Sequence, residues 1–231
     1  MSTIKKWLKK VIGKLFSFSY VLMFHHVTEE PKTEKSLCKL DFEKFKEFIL
    51  RYKGHYATLS DVVRKKSKKK LAVTFDDGLA DLYSLAYPFL IEQNIPFTAF
   101  IVSDFLDTEG YITTEQLKEI SANPLVTIGS HGKTHNVFTA LSKEDKIMEL
   151  TESKRILEGI LNKEINLFAY SHGQYDQETL ELMKSYEYAF AAGESFFAHI
   201  KANKYLVPRS DMTTDSYNTQ LAFFDNAILE K

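Results

Sequence analysis

The sequence predicts an α/β protein built on a mainly parallel sheet, either closed as a barrel or left open. Three observations carry this. Short apolar runs alternate with amphipathic stretches, strand followed by helix six or seven times over. The chain has 231 residues, 44% hydrophobic and 26% charged, which is enough for one sizeable core and typical of single α/β barrel domains. Residues fit for chemistry, namely His25, Asp76, Asp77, His131, His135 and the loop 171–174, each follow a predicted strand. In a parallel barrel those loops gather at one rim.

Residues 1–16 come first, as a basic amphipathic helix. Ile4, Trp7, Leu8, Val11, Ile12, Leu15 and Phe16 recur at three- and four-residue steps, while Lys5, Lys6, Lys9, Lys10 and Lys14 fill the other face. Five charges of one sign suit the headgroup region of an anionic membrane surface, with docking on the protein's own body as the alternative. Lys14 interrupts the apolar stretch and no small-residue cleavage site follows, which argues against a removable signal peptide. No run reaches the roughly 18 apolar residues that span a bilayer. Residues 17–231 read as one domain, without repeat, linker or low-complexity segment. A net charge of −1 gives no reason to expect nucleic acid, and the basic run 64–70 has no interleaved aromatics. The single cysteine, Cys38, excludes an internal disulfide and fits a reducing compartment.

Within the domain, YVLMF at 20–24 reads as a buried strand ending at His25 and His26. Asp41 is placed to cap a helix carrying Phe42, Phe45, Phe48 and Ile49 on one face, stopped by Gly54. A short strand is expected at 55–59, with Ser60 capping the next helix. LAVTF at 71–75 is another buried strand, after which Leu82, Leu85, Ala86, Phe89 and Leu90 form a helical stripe that Pro88 kinks or divides. Strands at 97–102 and 126–128 are separated by a helix for which Thr113 and Gln116 have capping-box spacing. Ser142 caps the longest helix, which ends near Asn162 with Ile147, Leu150, Ile156, Leu157 and Ile160 among its apolar positions. A strand at 167–170, a helix capped by Asp176, strands at 188–192 and 205–208 and a final helix around 221–229 complete the order.

The stretch 71–79, LAVTFDDGL, stops an apolar run at two carboxylates and a glycine. Asp-Asp-Gly by itself is also an ordinary turn. What gives it weight is SHGKTH at 130–135, directly behind another apolar run. Two histidines separated by three residues can approach one metal ion from a single turn, and one carboxylate completes a facial set of three ligands. Such a set leaves positions open for water and substrate, and bound zinc lowers the pKa of its water to about 7. The second carboxylate, held off the metal, can accept that water's proton. Spacing does not say which aspartate has which role.

These motifs resemble those of the polysaccharide deacetylases of carbohydrate esterase family four. TFDDG at 74–78 is similar to the family's first motif, and GSHGKTH at 129–135 to its second, His-x-x-x-His. FAYSHGQYD at 168–176 resembles a degenerate third motif, usually aromatic-Pro-aromatic-Gly. LMFHHV at 22–27 resembles the Tyr-His-x-Val opening of a subgroup acting on poly-N-acetylglucosamine and related glycans. GYITTEQL at 110–117 and LVPRS at 206–210 extend the likeness over residues 20–212. The resemblance implies a distorted (β/α)7-type barrel that binds Zn2+, or another divalent ion such as Co2+ or Ni2+. It implies hydrolysis of an N-acetyl group on an amino sugar with release of acetate. Asp77, His131 and His135 are then the metal ligands and Asp76 the general base. His25 is the acid that protonates the leaving amine, with His26 and His199 as less favoured substitutes. A backbone N–H near His172 holds the oxyanion. His26, Tyr170, His172 and Gly173 are expected against the substrate.

Some positions depart from the family pattern. Ala169 stands where many members have an arginine, and Arg209 in the late Pro-Arg pair is the expected replacement at Asp76. Ser171 and His172 replace the usual proline and aromatic, making the loop less rigid and more polar. The expected substrate class is an N-acetylated sugar, a glycan, or a lipid- or nucleotide-linked precursor. An inactive glycan-binding relative and a hydrolase of another bond, such as an O-acetyl or phosphate ester, are the alternatives. The basic helix and lone cysteine fit a cytoplasmic enzyme peripheral to the inner membrane face, with export or membrane anchoring as the alternative.

Overall fold

The first strand, β1 (Tyr20–Phe24), leads into a two-stranded parallel pair beside the barrel, β2 (His26–Thr28) and β3 (Lys39–Asp41). Its side chains are buried throughout, as its unbroken apolar run requires. The computed structural model describes residues 18–29, 38–64, 68–192 and 203–229, so the expected helix at 1–16 and His199 lie outside the described residues. After β3 come the helices α1 (Phe42–Arg51) and α2 (Leu59–Val63) and the strand β4 (Leu71–Phe75). The chain then alternates through α3 (Tyr87–Glu92), β5 (Phe97–Ile101), α4 (Thr114–Ala122), β6 (Val126–Ser130), α5 (Lys143–Leu161) and β7 (Leu167–Ala169). It ends with α6 (Gln177–Leu182), β8 (Tyr188–Ala192), β9 (Val207–Asp211) and α7 (Tyr217–Phe224). Among the described residues, seven strands close into a barrel in the order β1, β4, β5, β6, β7, β8, β9, all neighbours parallel, with β9 returning to β1. This is the expected (β/α)7-type barrel. Among the described residues no helix is long and apolar enough to cross a membrane.

Strand alternation divides the apolar side chains into two layers. Leu71, Val73 and Phe75 of β4 pack outward with Leu22 and Phe24 of β1 and with Phe45, Phe48 and Ile49 of α1. Val21, Ala72, Phe100, Ala169, Phe190 and Val207 form the inner layer, joined by Leu59, Val62 and Val63 of α2. Gly129 makes room for this layer: a Cβ there would lie 2.5 Å from the Phe100 ring. The same alternation turns Thr74 and Asp76 inward on the face of Ala72, and Arg209 inward on the face of Val207.

The helix starts follow local chemistry. Asp41, Ser142 and Asp176 accept N–H bonds from Lys44, Asp145 and Thr179, and Thr113 and Gln116 form the predicted capping box. Pro88 falls in the first turn of α3, which continues directly from a π-helical turn at Leu82–Ala86.

Four expectations are corrected. The strand expected at 55–59 is a single bridge from Tyr56 to Leu71, and Thr58, not Ser60, caps α2. Burying Leu59, Val62 and Val63 on one helical face requires the earlier start. The strand expected at 205–208 runs instead from Val207 to Asp211, the register that pairs Leu22 with Ser210. The last helix begins at Tyr217 and passes into a π-helical turn at Asp225–Leu229. On α5, Ile147 is 40% exposed, whereas Lys146, Glu149 and Ser153 are buried beside Leu150 and Leu157.

Candidate metal centre

The site is built where β1, β4, β6, β7 and β9 end. Asp76 N–H donates to Phe24 O (2.9 Å), and His131 N–H to Ile101 O (2.8 Å), so each ladder runs one residue past its strand before the chain turns. Asp77 makes the turn with φ 71°, His135 ends the next loop with φ 63°, and His172 in the loop after β7 has φ 55°. Left-handed backbone at a residue other than glycine costs of the order of 1–3 kcal/mol. Three such residues around one mouth mark a geometry that the surrounding structure holds in place.

The donor atoms of Asp77, His131 and His135 all lie within 4.8 Å of one another. His131 Nε2 and His135 Nε2 stand 3.4 and 3.2 Å from Asp77 Oδ1. That oxygen is nevertheless buried without a hydrogen-bond partner. Three lone-pair-bearing atoms facing one point, one of them an orphaned buried carboxylate oxygen, fit a divalent cation. The ring of His131 is oriented for this: its Nδ1–H donates to Ala169 O (2.8 Å), which leaves Nε2 as the ligating nitrogen. Burial raises the pKa of Asp77, but the two imidazoles outweigh it and the carboxyl is held well below its ordinary range. Burial lowers the pKa of His131, yet Asp76 and Asp77 drive it upward on balance.

Asp76 belongs to a different bonding unit. Arg209 Nη1 and Nη2 each donate to one of its oxygens at 2.6 Å, and Nη1 also reaches Thr74 Oγ1 at 3.2 Å. Both partners are buried, Arg209 at 1% and Asp76 at 3% exposure, and the guanidinium lies 5.3 Å from the centre of the Phe100 ring. Burial raises the Asp76 pKa, but Arg209 and then His131 and His25 carry it below the ordinary value, so the carboxylate stays ionised. The guanidinium expected from the family pattern is thus present, delivered from β9 where Ala169 cannot supply it. His25 Nε2 lies 3.9 Å from Asp76 Oδ2, because β1 and β4 pair in register at Phe24 and Phe75 and the next residues stand side by side.

Three of the residues expected at the substrate, Tyr170, Gly173 and His26, make contacts within the protein. Tyr170 is 1% exposed and donates its hydroxyl to Tyr205 O (3.1 Å), so it packs in the core. Gly173 donates its N–H to Tyr170 O (2.9 Å). His26 pairs with Asp81 through Nδ1 (2.7 Å). His172 does reach the mouth, its ring 4.5 Å from that of His135. Sequence reasoning missed Phe105 and Tyr111, whose rings lie 4.6 Å apart, with Phe105 6.0 Å from His135. An antiparallel bridge from Tyr111 to Leu79 fixes this pair beside the Asp77 turn, a contact without local sequence signal.

Known proteins resemble this chain in sequence and in fold. The chain is 26% identical over 169 residues to YxkH of Bacillus subtilis, a match taking in 70% of this chain and 59% of that protein. The chain therefore spans under two thirds of that relative's length. It is 25% identical over 213 residues to the poly-beta-1,6-N-acetyl-D-glucosamine N-deacetylase of Staphylococcus aureus, covering 82% of this chain and 72% of that one. Among solved structures, the deacetylase PplD of Streptococcus pyogenes in complex with acetate superposes with a TM-score of 0.80. That likeness holds at 21% identity over 93% of this chain and 99% of PplD. The family model for polysaccharide deacetylase matches residues 63–191. Since that match takes in more than half of the chain, including the Asp-Asp-Gly and His-x-x-x-His motifs, the chain belongs to the polysaccharide deacetylase family, carbohydrate esterase family four.

Proposed function

We propose that this chain is a metal-dependent N-deacetylase that removes acetyl groups from N-acetylated amino sugars of a glycan or glycan precursor. The observation that carries the reading is the pairing of an Asp77, His131, His135 donor set with a second carboxylate, Asp76, which is pinned by Arg209 and ionised. Zn2+, or Co2+ or Ni2+ in its place, supplies on binding an acidic water and a Lewis acid for the acetamide carbonyl. The chain's own residues then divide the proton work. Asp76 takes the proton of the attacking water, and Arg209 keeps its carboxylate ionised and aimed. The N–H of His172 is the candidate donor to the developing oxyanion, since that of Gly173 is taken by Tyr170 O. His25 delivers a proton to the departing nitrogen as the C–N bond breaks, so acetate and a free amine leave. The 3.9 Å between His25 Nε2 and Asp76 Oδ2 supports their acting on one reacting centre.

For location, the reading is a cytoplasmic enzyme held at the inner membrane face through residues 1–16, working on lipid- or nucleotide-linked precursors. The test of function is acetate and amine release by the zinc-loaded protein from N-acetylated sugars offered free, nucleotide-linked and polymeric. Equal release of acetate and amine supports N-deacetylation. Acetate without amine from O-acetylated sugars would make it an esterase, and sugar binding without turnover would make it an inactive relative.

A further inference from the structure

The longest helix places a carboxylate where an apolar side chain would pack more cheaply. Glu149 is 1% exposed on the inner face of α5, on the same buried stripe as Leu150 and Ser153. Its oxygens face the loop that carries both histidine ligands. Oε2 accepts from Lys133 N–H (2.6 Å) and Thr134 N–H (3.0 Å), and Oε1 accepts from the Thr134 hydroxyl. One helical turn on, Ser153 Oγ shares a hydrogen bond of 2.8 Å with Ser130 Oγ, which itself accepts from Gly132 N–H (3.2 Å). The segment from Ser130 to Thr134 is therefore held from one helix at both ends. Gly132 is part of the fit: its φ is 85°, and a Cβ there would meet Glu149 Oε2 at 2.9 Å.

We propose that Glu149 is the positioning residue of the metal centre, a carboxylate clamp that fixes the loop between His131 and His135 so that both imidazoles face Asp77 before any ion arrives. This inference rests on the metal-dependent reading above. The backbone supplies the reason. His135 is held in left-handed conformation, which the residue does not favour by itself, so an external contact must hold the turn that precedes it. The amides of Lys133 and Thr134 are turned toward α5 in that conformation, and an anionic acceptor shared between them satisfies both. A loop ordered in advance spends none of the ion's binding energy on its own ordering. Outer contacts of this kind commonly change metal affinity about 10- to 100-fold.

The experiment compares wild type, Glu149→Ala and Glu149→Gln. Zinc affinity is measured by competition with a chromophoric chelator, ligand geometry by the visible absorption of the Co2+-loaded proteins, and stability by thermal unfolding without metal. Glu149→Ala is expected to bind zinc about 10- to 100-fold more weakly and to alter the Co2+ spectrum. Glu149→Gln, whose amide oxygen can still accept from both N–H groups, is expected to restore both. A merely structural Glu149 would lower the unfolding temperature in Glu149→Ala while leaving zinc affinity and the Co2+ spectrum as in wild type, and that result overturns the inference. Should Glu149→Ala not fold, Glu149→Asp replaces it: the carboxylate is retracted by one methylene, weaker zinc binding is expected, and unchanged binding overturns the proposal. A wild type that takes up no zinc would instead remove the metal-dependent reading and the clamp with it.

Discussion

Replacing Arg209 by methionine removes the guanidinium and keeps much of the side-chain volume. In wild type both oxygens of Asp76 are bonded at 2.6 Å inside the barrel, with neither partner more than 3% exposed. Breaking a buried pair from one side leaves an uncompensated charge and costs about 3–5 kcal/mol. For a chain of this size each kcal/mol moves the unfolding temperature about 2–4 °C, so a fall of roughly 6–20 °C is expected. The loss depends on pH with a defined sign. The Asp76 pKa is lowered in the folded wild type, so the pair's contribution is present above the unfolded value of about 4 and is lost as pH falls through the folded one. In Arg209→Met burial is opposed only by His131 and His25, the carboxyl pKa moves up, and the variant falls further behind wild type between acid and neutral pH. Thermal unfolding of both metal-free proteins from pH 4 to pH 8 reads this directly. Acetate release should show kcat falling with KM little changed, since Asp76 acts on water and not on the sugar, and Arg209→Lys, which cannot span both oxygens, should recover part of it. A stability gap below about 1 kcal/mol that does not change with pH would refute the assignment of this pair.

His135→Ala and Asp77→Ala are expected to abolish zinc binding, whereas Asp76→Asn keeps one zinc and loses acetate release about 100-fold or more; elemental analysis paired with an acetate assay separates them. Full activity in Asp76→Asn would end its role as base. Tyr170→Phe removes a half-buried hydrogen bond to Tyr205 O, so a loss of about 1 kcal/mol with unchanged KM is expected. A raised KM would show that Tyr170 reaches the substrate after all. Deleting residues 1–16 should abolish sedimentation with anionic vesicles, a binding that weakens with salt in the intact chain; equal sedimentation of both forms would sink the proposed membrane role.

The barrel was legible because strands such as β1, β4 and β5 are buried on both faces and stand out as apolar runs, each stopped by residues that an apolar interior rejects. The Asp-Asp-Gly turn and the His-x-x-x-His loop were legible for the same reason: they follow such runs. Pairwise contacts across the barrel were not. That His25 lies beside Asp76 depends on the register of β1 against β4, and that Tyr170 turns into the core depends on the path of the chain after β7. The inner face of α5 was not legible, because apolar character alone does not decide burial there. Ile147 faces solvent while Glu149 and Ser153 are buried, since the tight loop they meet presents N–H groups that need acceptors. Arg209 was found from the Pro-Arg pair, although its two-oxygen grip on Asp76 follows only from the inward alternation of β9.

The central claim is that strand-end loops distant in sequence assemble one divalent-cation centre beside an unligated base. Titrating Zn2+ into metal-free protein while following acetate release from N-acetylglucosamine oligomers tests it most directly. Release that rises to a plateau at one equivalent of zinc in wild type, and stays at baseline in Asp76→Asn, is the predicted result. Release at full rate from the metal-free protein would contradict it.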